Sequence, residues 1–356
     1  LVLSIKEFFI YCSLKKQFKM TYHSKIIGLG HYVPENIVTN DDLSKHIDTN
    51  DAWIKERTGI EERRHVVKGS GETTTTMGVK AAKVAIERAG IDKQEIDFIV
   101  FATLSPDYYF PGPGVLVQRD LGIDTVGALD VRNQCSGFVY ALSVADQYVK
   151  SGMYKNVLVI GSELQSHGMD MTTRGRNISV IFGDGAGAAI VSREEDLTKG
   201  ILSTHLHSEG EHAEALSLLA PGMGSRWVTD ILEDNDPEDL SYYPYMDGQF
   251  VFKNAVVRFS EVINEGLKAN NLTKEAISLL VPHQANLRIA QFIQKKFGLS
   301  DDQVFNNIMK YGNTTAASIP IALTEAWEQG KVKEGDLVVL AAFGSGFTWG
   351  SAIIRW

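Results

Sequence analysis

The stretch VGALDVRNQCSGFVYALSVADQYVKSGMYKNVLVIG, residues 126–161, decides the architecture. It opens on a short apolar run, Val126–Val131, and closes on another, Asn156–Gly161. Between them Val139–Lys150 spaces its apolar side chains as an amphipathic helix does. The alternation continues outward. Thr76–Ala89, Val251–Ala269, Arg288–Phe297 and Ile319–Gln329 predict further helices, and Ile96–Leu104, Ser278–Val281 and Asp336–Ala342 predict buried strands. Strands alternating with helices indicate an α/β fold with a parallel or mixed sheet under helical cover. Glu209–Pro244, rich in Gly, Asp, Glu and Pro, predicts a long surface loop.

The order of elements repeats. In the first half a strand and a helix ending in Leu121-Gly122 lead to Cys135, a helix, Gly152 and NVLVIG. In the second, SLLVPHQAN and a helix ending in Phe297-Gly298 lead to Asn313, a helix, Gly330 and DLVVLAA. Cys135 to Gly152 and Asn313 to Gly330 are each 17 positions. A duplication would put Cys135 and Asn313 at pseudo-symmetric helix starts facing one central site. The expected division is an upstream extension at 1–19, a first half at 20–193 carrying Cys135, and a second half at 194–356 carrying His283 and Asn313. The extension, LVLSIKEFFIYCSLKKQFK, lacks the charge order of a signal peptide, and Met20 is the expected natural start.

A net charge of −9 argues against nonspecific nucleic-acid binding. No apolar run reaches membrane-spanning length. Cys12 and Cys135 are the only cysteines of 356 residues, which is no disulfide framework and favours a reducing, cytoplasmic compartment.

Cys135 sits between an expected strand and an expected helix. A thiol at a helix N-terminus feels the positive end of the dipole, so its pKa is expected to fall toward the thiolate. Local N–H groups there can hold an oxyanion. His283 follows Pro282 at a strand end, where open α/β sheets present ligands. Asn313 in KYGNTTAAS is by itself equally a turn residue or an N-cap. GDGAGAA, residues 183–189, resembles a phosphate loop, but AAIVS after it reads as a strand, so a tight turn between strands is expected. His205 and His207 would share a strand face, without the carboxylate or cysteine spacing of a metal site.

Together DVRNQCSGF, GDGAGAA, PHQANLRI, YGNTTAASIP and FGSGFTWGSAIIR, in this order, resemble the β-ketoacyl-acyl carrier protein synthase III family, across residues 20–356. The resemblance implies the thiolase-like fold, with duplicated βαβαβ halves and mixed sheets sandwiching buried helices. It implies a catalytic Cys135, His283 and Asn313. Thiolases need a second catalytic Cys and elongating ketoacyl synthases a second His, and neither is matched here. The implied oxyanion donors are the backbone N–H groups of Cys135 and Ser345, the latter where the family usually has Gly.

The same resemblance places Trp53 and Arg176 about the CoA adenine, with Arg174 as the rival of Arg176. Gly248, Phe252 and Asn286 fall along the pantetheine tunnel. Phe110 falls in the neighbouring subunit's acyl pocket, which implies a homodimer. Arg288, Lys253, Lys295 and Lys296 are candidates for a basic rim that docks acidic carrier protein. The implied reaction is decarboxylative condensation of an acyl-CoA with malonyl-acyl carrier protein, with CoA thioester as substrate and neither cofactor nor metal. A secondary-metabolite starter ketosynthase or acyltransferase, and an inactive binding scaffold, are the alternatives.

Overall fold

The computed structural model describes residues 22–220, 222, 236 and 238–356. The extension at 1–19, with Cys12, lies outside the described residues. The chain runs β1 (His23–Tyr32), β2 (Ile37–Thr39), α1 (Asn40–Ser44), α2 (Asp51–Thr58), β3 (Glu62–Arg64), α3 (Thr74–Ala89), β4 (Phe98–Ala102), α4 (Pro113–Leu121), β5 (Gly127–Val131), α5 (Gly137–Lys150), β6 (Asn156–Glu163), α6 (Arg176–Ser179) and β7 (Gly185–Glu194). It continues through β8 (Gly200–Ser208), β9 (Leu216–Ser217), β10 (Tyr245–Met246), α7 (Gly248–Ala269), β11 (Leu279–Pro282), α8 (Leu287–Phe297), α9 (Ile308–Tyr311), α10 (Ser318–Glu328), β12 (Leu337–Gly344) and β13 (Thr348–Arg355).

Two mixed sheets carry the fold. The first has the order β1-β7-β6-β4-β5, with β6, β4 and β5 parallel. The second is β11-β12-β13-β8, with only β11 and β12 parallel. A parallel bridge from Leu280 to Val304 stands beyond β11, as β5 stands beyond β4. The two sheets therefore share one plan, with the last strand of the second reduced to a single bridge.

The period-two pattern of the central strands explains the layering. Val157 and Val159 of β6 face a core shared with α5, α10 and both sheets, while Leu158 and Ile160 face α3 and α4. Val338 and Leu340 of β12 face the shared core, while Leu337 and Val339 face α7 and α8. Strands apolar on both faces need cover on both sides, so α5 and α10 become the buried middle layer. Two mixed sheets about a buried helical layer are the architecture that the family resemblance implies.

Four local expectations are corrected. The strand expected at Ile96–Leu104 is confined to β4, because a 3-10 turn ends at Glu95 and Leu104 turns its N–H to a carboxylate. GDGAGAA is not a turn between strands: Gly185 already opens β7, and Gly183-Asp184 join it to the segment after α6. Asp184 secures that junction by accepting the N–H groups of Val66 at 2.7 Å, Gln165 at 2.7 Å and Ser166 at 2.9 Å. Within the expected Glu209–Pro244 loop, Gly210–Ala215 form a 3-10 turn, and Leu216–Ser217 pair with Tyr245–Met246; residues 223–235 lie outside the described set.

The fourth correction concerns the duplication. Gln134 and Thr315, with φ of 42° and 52°, each open a 3-10 turn that runs into α5 or α10. The counterpart of Cys135 is thus Ala316, and Asn313 lies three residues earlier. The equal spacing of 17 arises because α10 has 11 residues and α5 has 14, which offsets the later helix start.

Candidate active site

Cys135 is presented by the turn between β5 and α5. Ser136 Oγ holds that turn against the second sheet through Thr348 Oγ1 at 2.6 Å. The end of β12 passes directly behind the thiol. A Cβ on Gly344 would lie 2.6 Å from Cys135 Cβ and 3.2 Å from its Sγ, so only glycine fits there.

The backbone N–H groups of Cys135 and Ser345 both act on the sulfur to favour the thiolate. Burial outweighs them and pushes the Cys135 thiol up to about 12. This overturns the expectation of a dipole-lowered thiolate. The thiol is enclosed, and an ionised sulfur would lose its hydration.

His283 leaves β11 and keeps the sheet pairing, its N–H donating to Ala341 O at 2.8 Å. Its Nδ1 lies 2.6 Å from Ser318 Oγ at the first turn of α10. Nε2 is buried and has no partner among the described residues. Burial depresses its pKa to about 3, so the ring is neutral at physiological pH.

Asn313 is fixed from the first half of the chain: its N–H donates to Ile181 O at 2.8 Å and its carbonyl accepts from Gly183 at 3.1 Å. Its Oδ1 accepts the N–H of Thr315 at 2.8 Å, which leaves the NH₂ end for the cavity that Asn313 lines. Cys135, His283 and Asn313 line one cavity, and Gly248, Phe252 and Asn286 continue its wall. Asn286 also caps α8, accepting from Arg288 N–H at 2.9 Å, and donates to Arg57 O at 2.9 Å.

Trp53 stands on α2 with the Arg176 guanidinium 4.4 Å above its ring, the first-choice pairing of the two arginines. Arg174 is engaged elsewhere, with Asp170 at 2.6 Å, Glu238 at 3.0 Å and the Tyr243 ring at 4.2 Å. Phe110 does not line the cavity of its own chain; it is 82% exposed beside exposed Tyr108 and Tyr109. Arg288, Lys253, Lys295 and Lys296 are exposed on α7 and α8, on the outer layer. His205 and His207 both reach Glu265, at 3.3 and 2.6 Å. The described residues contain no metal-binding cluster.

Sequence reasoning missed three residues. Arg57 lies 4.5 Å from the Trp53 ring, and the i, i+4 spacing on α2 was its signal. Ser318 orients His283, and no local pattern marks it. Glu163 is the one charged residue of the buried strand β6, and that was its signal. Glu163 is fully buried and accepts from Ser105 Oγ at 2.6 Å and Thr103 Oγ1 at 3.0 Å. Burial raises its pKa to about 7 against those donors, and its charge in turn opposes ionisation of Cys135. Above about pH 7, where Glu163 is ionised, Glu163→Gln is expected to alkylate with iodoacetamide roughly threefold to tenfold faster than wild type. Below that pH, where the carboxyl is already neutral, the two rates should converge. A wild-type rate for the variant at about pH 8.5, above that transition, would sever the link between the two groups.

Comparison with known proteins agrees with this geometry. Residues 129–210 match the family model described as 3-Oxoacyl-[acyl-carrier-protein (ACP)] synthase III, and residues 267–356 match the model of its C-terminal part. The chain is 49% identical over 333 residues to a Citrobacter koseri protein named Beta-ketoacyl-[acyl-carrier-protein] synthase III, covering 94% of this chain and 99% of that one. Among solved structures, the 3-oxoacyl-[acyl-carrier-protein] synthase III of Aquifex aeolicus is 45% identical with a TM-score of 0.84, over 94% of this chain and 100% of that one. The priming β-ketosynthase of the R1128 polyketide pathway is 33% identical with a TM-score of 0.83, over 93% and 96%.

Proposed function

The chain belongs to the β-ketoacyl-[acyl-carrier-protein] synthase III family, and from that membership we infer the reaction its site performs. The protein is an acyl-transferring condensing enzyme of the type that initiates fatty-acid synthesis. It joins the acyl group of an acyl-CoA to malonyl-[acyl-carrier protein], with loss of carbon dioxide, to give 3-oxoacyl-[acyl-carrier protein]. The observation that carries this reading is the convergence of Cys135, His283 and Asn313 on one cavity.

In the first half-reaction Cys135 Sγ attacks the acyl-CoA carbonyl. The new Sγ–C bond forms, the C–S bond to CoA breaks, and the N–H groups of Cys135 and Ser345 take the oxyanion. The thiol rests protonated, so its proton must leave as the bond forms. The unpartnered Nε2 of His283 is the base that lines the same cavity, and it returns the proton to the departing CoA sulfur. In the second half-reaction malonyl thioester loses carbon dioxide. The electron pair of the broken C–C bond enters an enolate, whose oxygen accepts from His283 Nε2–H and the Asn313 amide. The enolate carbon attacks the acyl carbon, and Cys135 leaves as thiolate and takes a proton from solvent. Ser318 Oγ can accept from or donate to Nδ1, so it accommodates the imidazole tautomer each half-reaction requires.

Trp53 and Arg176, stacked on each other at 4.4 Å, would part to take the adenine between them; Gly248, Phe252 and Asn286 line the pantetheine path, and Arg288 with Lys253, Lys295 and Lys296 offers cations to acidic carrier protein. A homodimer accounts for two exposed features: β5, an edge strand with Leu129 exposed, and the aromatic run Tyr108–Phe110. The site needs no cofactor for this chemistry. A cytoplasmic location suits the free thiol at Cys135. The halves at 20–193 and 194–356 act as one unit around the shared middle layer.

The test is reconstitution with acyl-CoA and malonyl-[acyl-carrier protein], following labelled carbon dioxide and product mass. Equal amounts of carbon dioxide and 3-oxoacyl product are expected. Acyl transfer to the carrier without carbon dioxide release would replace condensation by simple acyl transfer.

A further inference from the structure

The donor Asn313 is delivered by a very short element. The helix α9, Ile308–Tyr311, has 4 residues, and Gly312 follows it with φ of 63°. One turn of helix cannot sustain itself, since nucleation costs more than a single turn returns. Its two ends are tied to one side chain. Glu325 on α10 accepts from Asn307 Nδ2 at 2.9 Å and from the Tyr311 hydroxyl at 2.6 Å. Asn307 precedes the helix and Tyr311 ends it, so one carboxylate spans the whole turn. Glu325 is only 9% exposed. It lines a surface groove with Asn307 and Lys310, separate from the cavity of Cys135.

The same helix α10 carries Ser318, which holds His283 Nδ1. Gln284, next to His283, accepts the N–H groups of Asn307 at 3.0 Å and Ile308 at 3.2 Å. The two donors proposed for the enolate oxygen are thus indexed to one helix, His283 through Ser318 and Asn313 through Glu325. We infer that Glu325 is a positioning residue for the decarboxylation half-reaction: it clamps both ends of α9 and so sets where the Asn313 amide stands. This rests on the reaction proposed above.

In Glu325→Ala, acyl loading of Cys135, followed by intact mass, should stay within about twofold of wild type, because Asn313 takes no part in it. Carbon dioxide release from malonyl thioester should fall by about 10- to 100-fold, the cost of a donor misplaced by about 1 Å. Glu325→Gln can still accept from Asn307 and donate to the Tyr311 oxygen, so it should recover most of the rate. Tyr311→Phe removes one tie and preserves the ring, and serves if the Ala variant is insoluble; it should lose carbon dioxide release selectively. Because Glu325 acts through Asn313, the double variant with Asn313→Ala should be no slower than Asn313→Ala alone. Carbon dioxide release at the wild-type rate in Glu325→Ala overturns the inference, as does an equal loss of both half-reactions in folded protein, or additive losses in the double variant. If wild type itself releases no carbon dioxide, the proposed reaction fails as well; a competent wild type beside an equally competent Glu325→Ala sinks the clamp alone.

Discussion

Cys135→Ala protein incubated with acyl-CoA is expected to gain no acyl mass and to form no condensation product. Cys135 is the one cysteine among the described residues, and it lines the cavity that holds His283 and Asn313. The two serines flanking the thiol are engaged in structure: Ser136 bonds Thr348 and Asn133, and the Ser345 hydroxyl bonds Leu216 O. Cys135→Ser should lose nearly all loading too. The enclosure that lifts the thiol to about 12 penalises an alkoxide more, because a hydroxyl is the weaker acid to begin with. Intact-mass analysis of each variant decides the matter. Acyl mass on the Ala variant would remove Cys135 from its role.

His283→Ala and Asn313→Ala are expected to differ in the first half-reaction and agree in the second. Asn313→Ala should load acyl groups on Cys135 near the wild-type rate. His283→Ala should load them more slowly, because a thiol held up at about 12 needs a base and Nε2 is the unpartnered one in the cavity. Both should lose malonyl decarboxylation by about 10²–10³-fold, the usual cost of one oxyanion donor. The pH profile adds a constraint. With burial holding its pKa at about 3, His283 stays neutral from about pH 5 to about pH 8, and no imidazolium titration should shape decarboxylation there. Stability follows the same sign: a histidine depressed in the folded state contributes stability above its unfolded pKa of about 6.5, lost as pH falls toward 3. Equal carbon dioxide release by both variants and wild type would end the condensing mechanism.

Local chemistry explains how far the sequence could be read. The strands Asn156–Gly161 and Asp336–Ala342 were legible because both faces are apolar, and both form central strands near those bounds. Cys135, His283 and Asn313 were legible only together, because DVRNQCSGF, PHQANLRI and YGNTTAASIP in that order resemble one family, whereas each residue alone has an ordinary structural reading. The loop at Glu209–Pro244 misled by composition, since its polar residues hide Leu216, whose carbonyl meets Ser345 and whose backbone pairs with Met246. The matched spacing of 17 misled by arithmetic, since a later start and a shorter helix cancel.

The sequence by itself determined the alternation of strands and helices between Thr76 and Ala342 and its repetition in two halves, because periodicity and turn residues are local properties. The protonation state of Cys135 was not among them. A helix dipole can be inferred from a motif, but desolvation depends on what closes over the thiol, and β12 arrives there from the far end of the chain. Tertiary structure alone decided that burial outweighs the N–H groups of Cys135 and Ser345 at the thiol, that Ser318 faces His283, and that Glu325 spans the helix before Asn313. Each is a contact between distant segments, and no local pattern carries the position of a partner that only packing brings near.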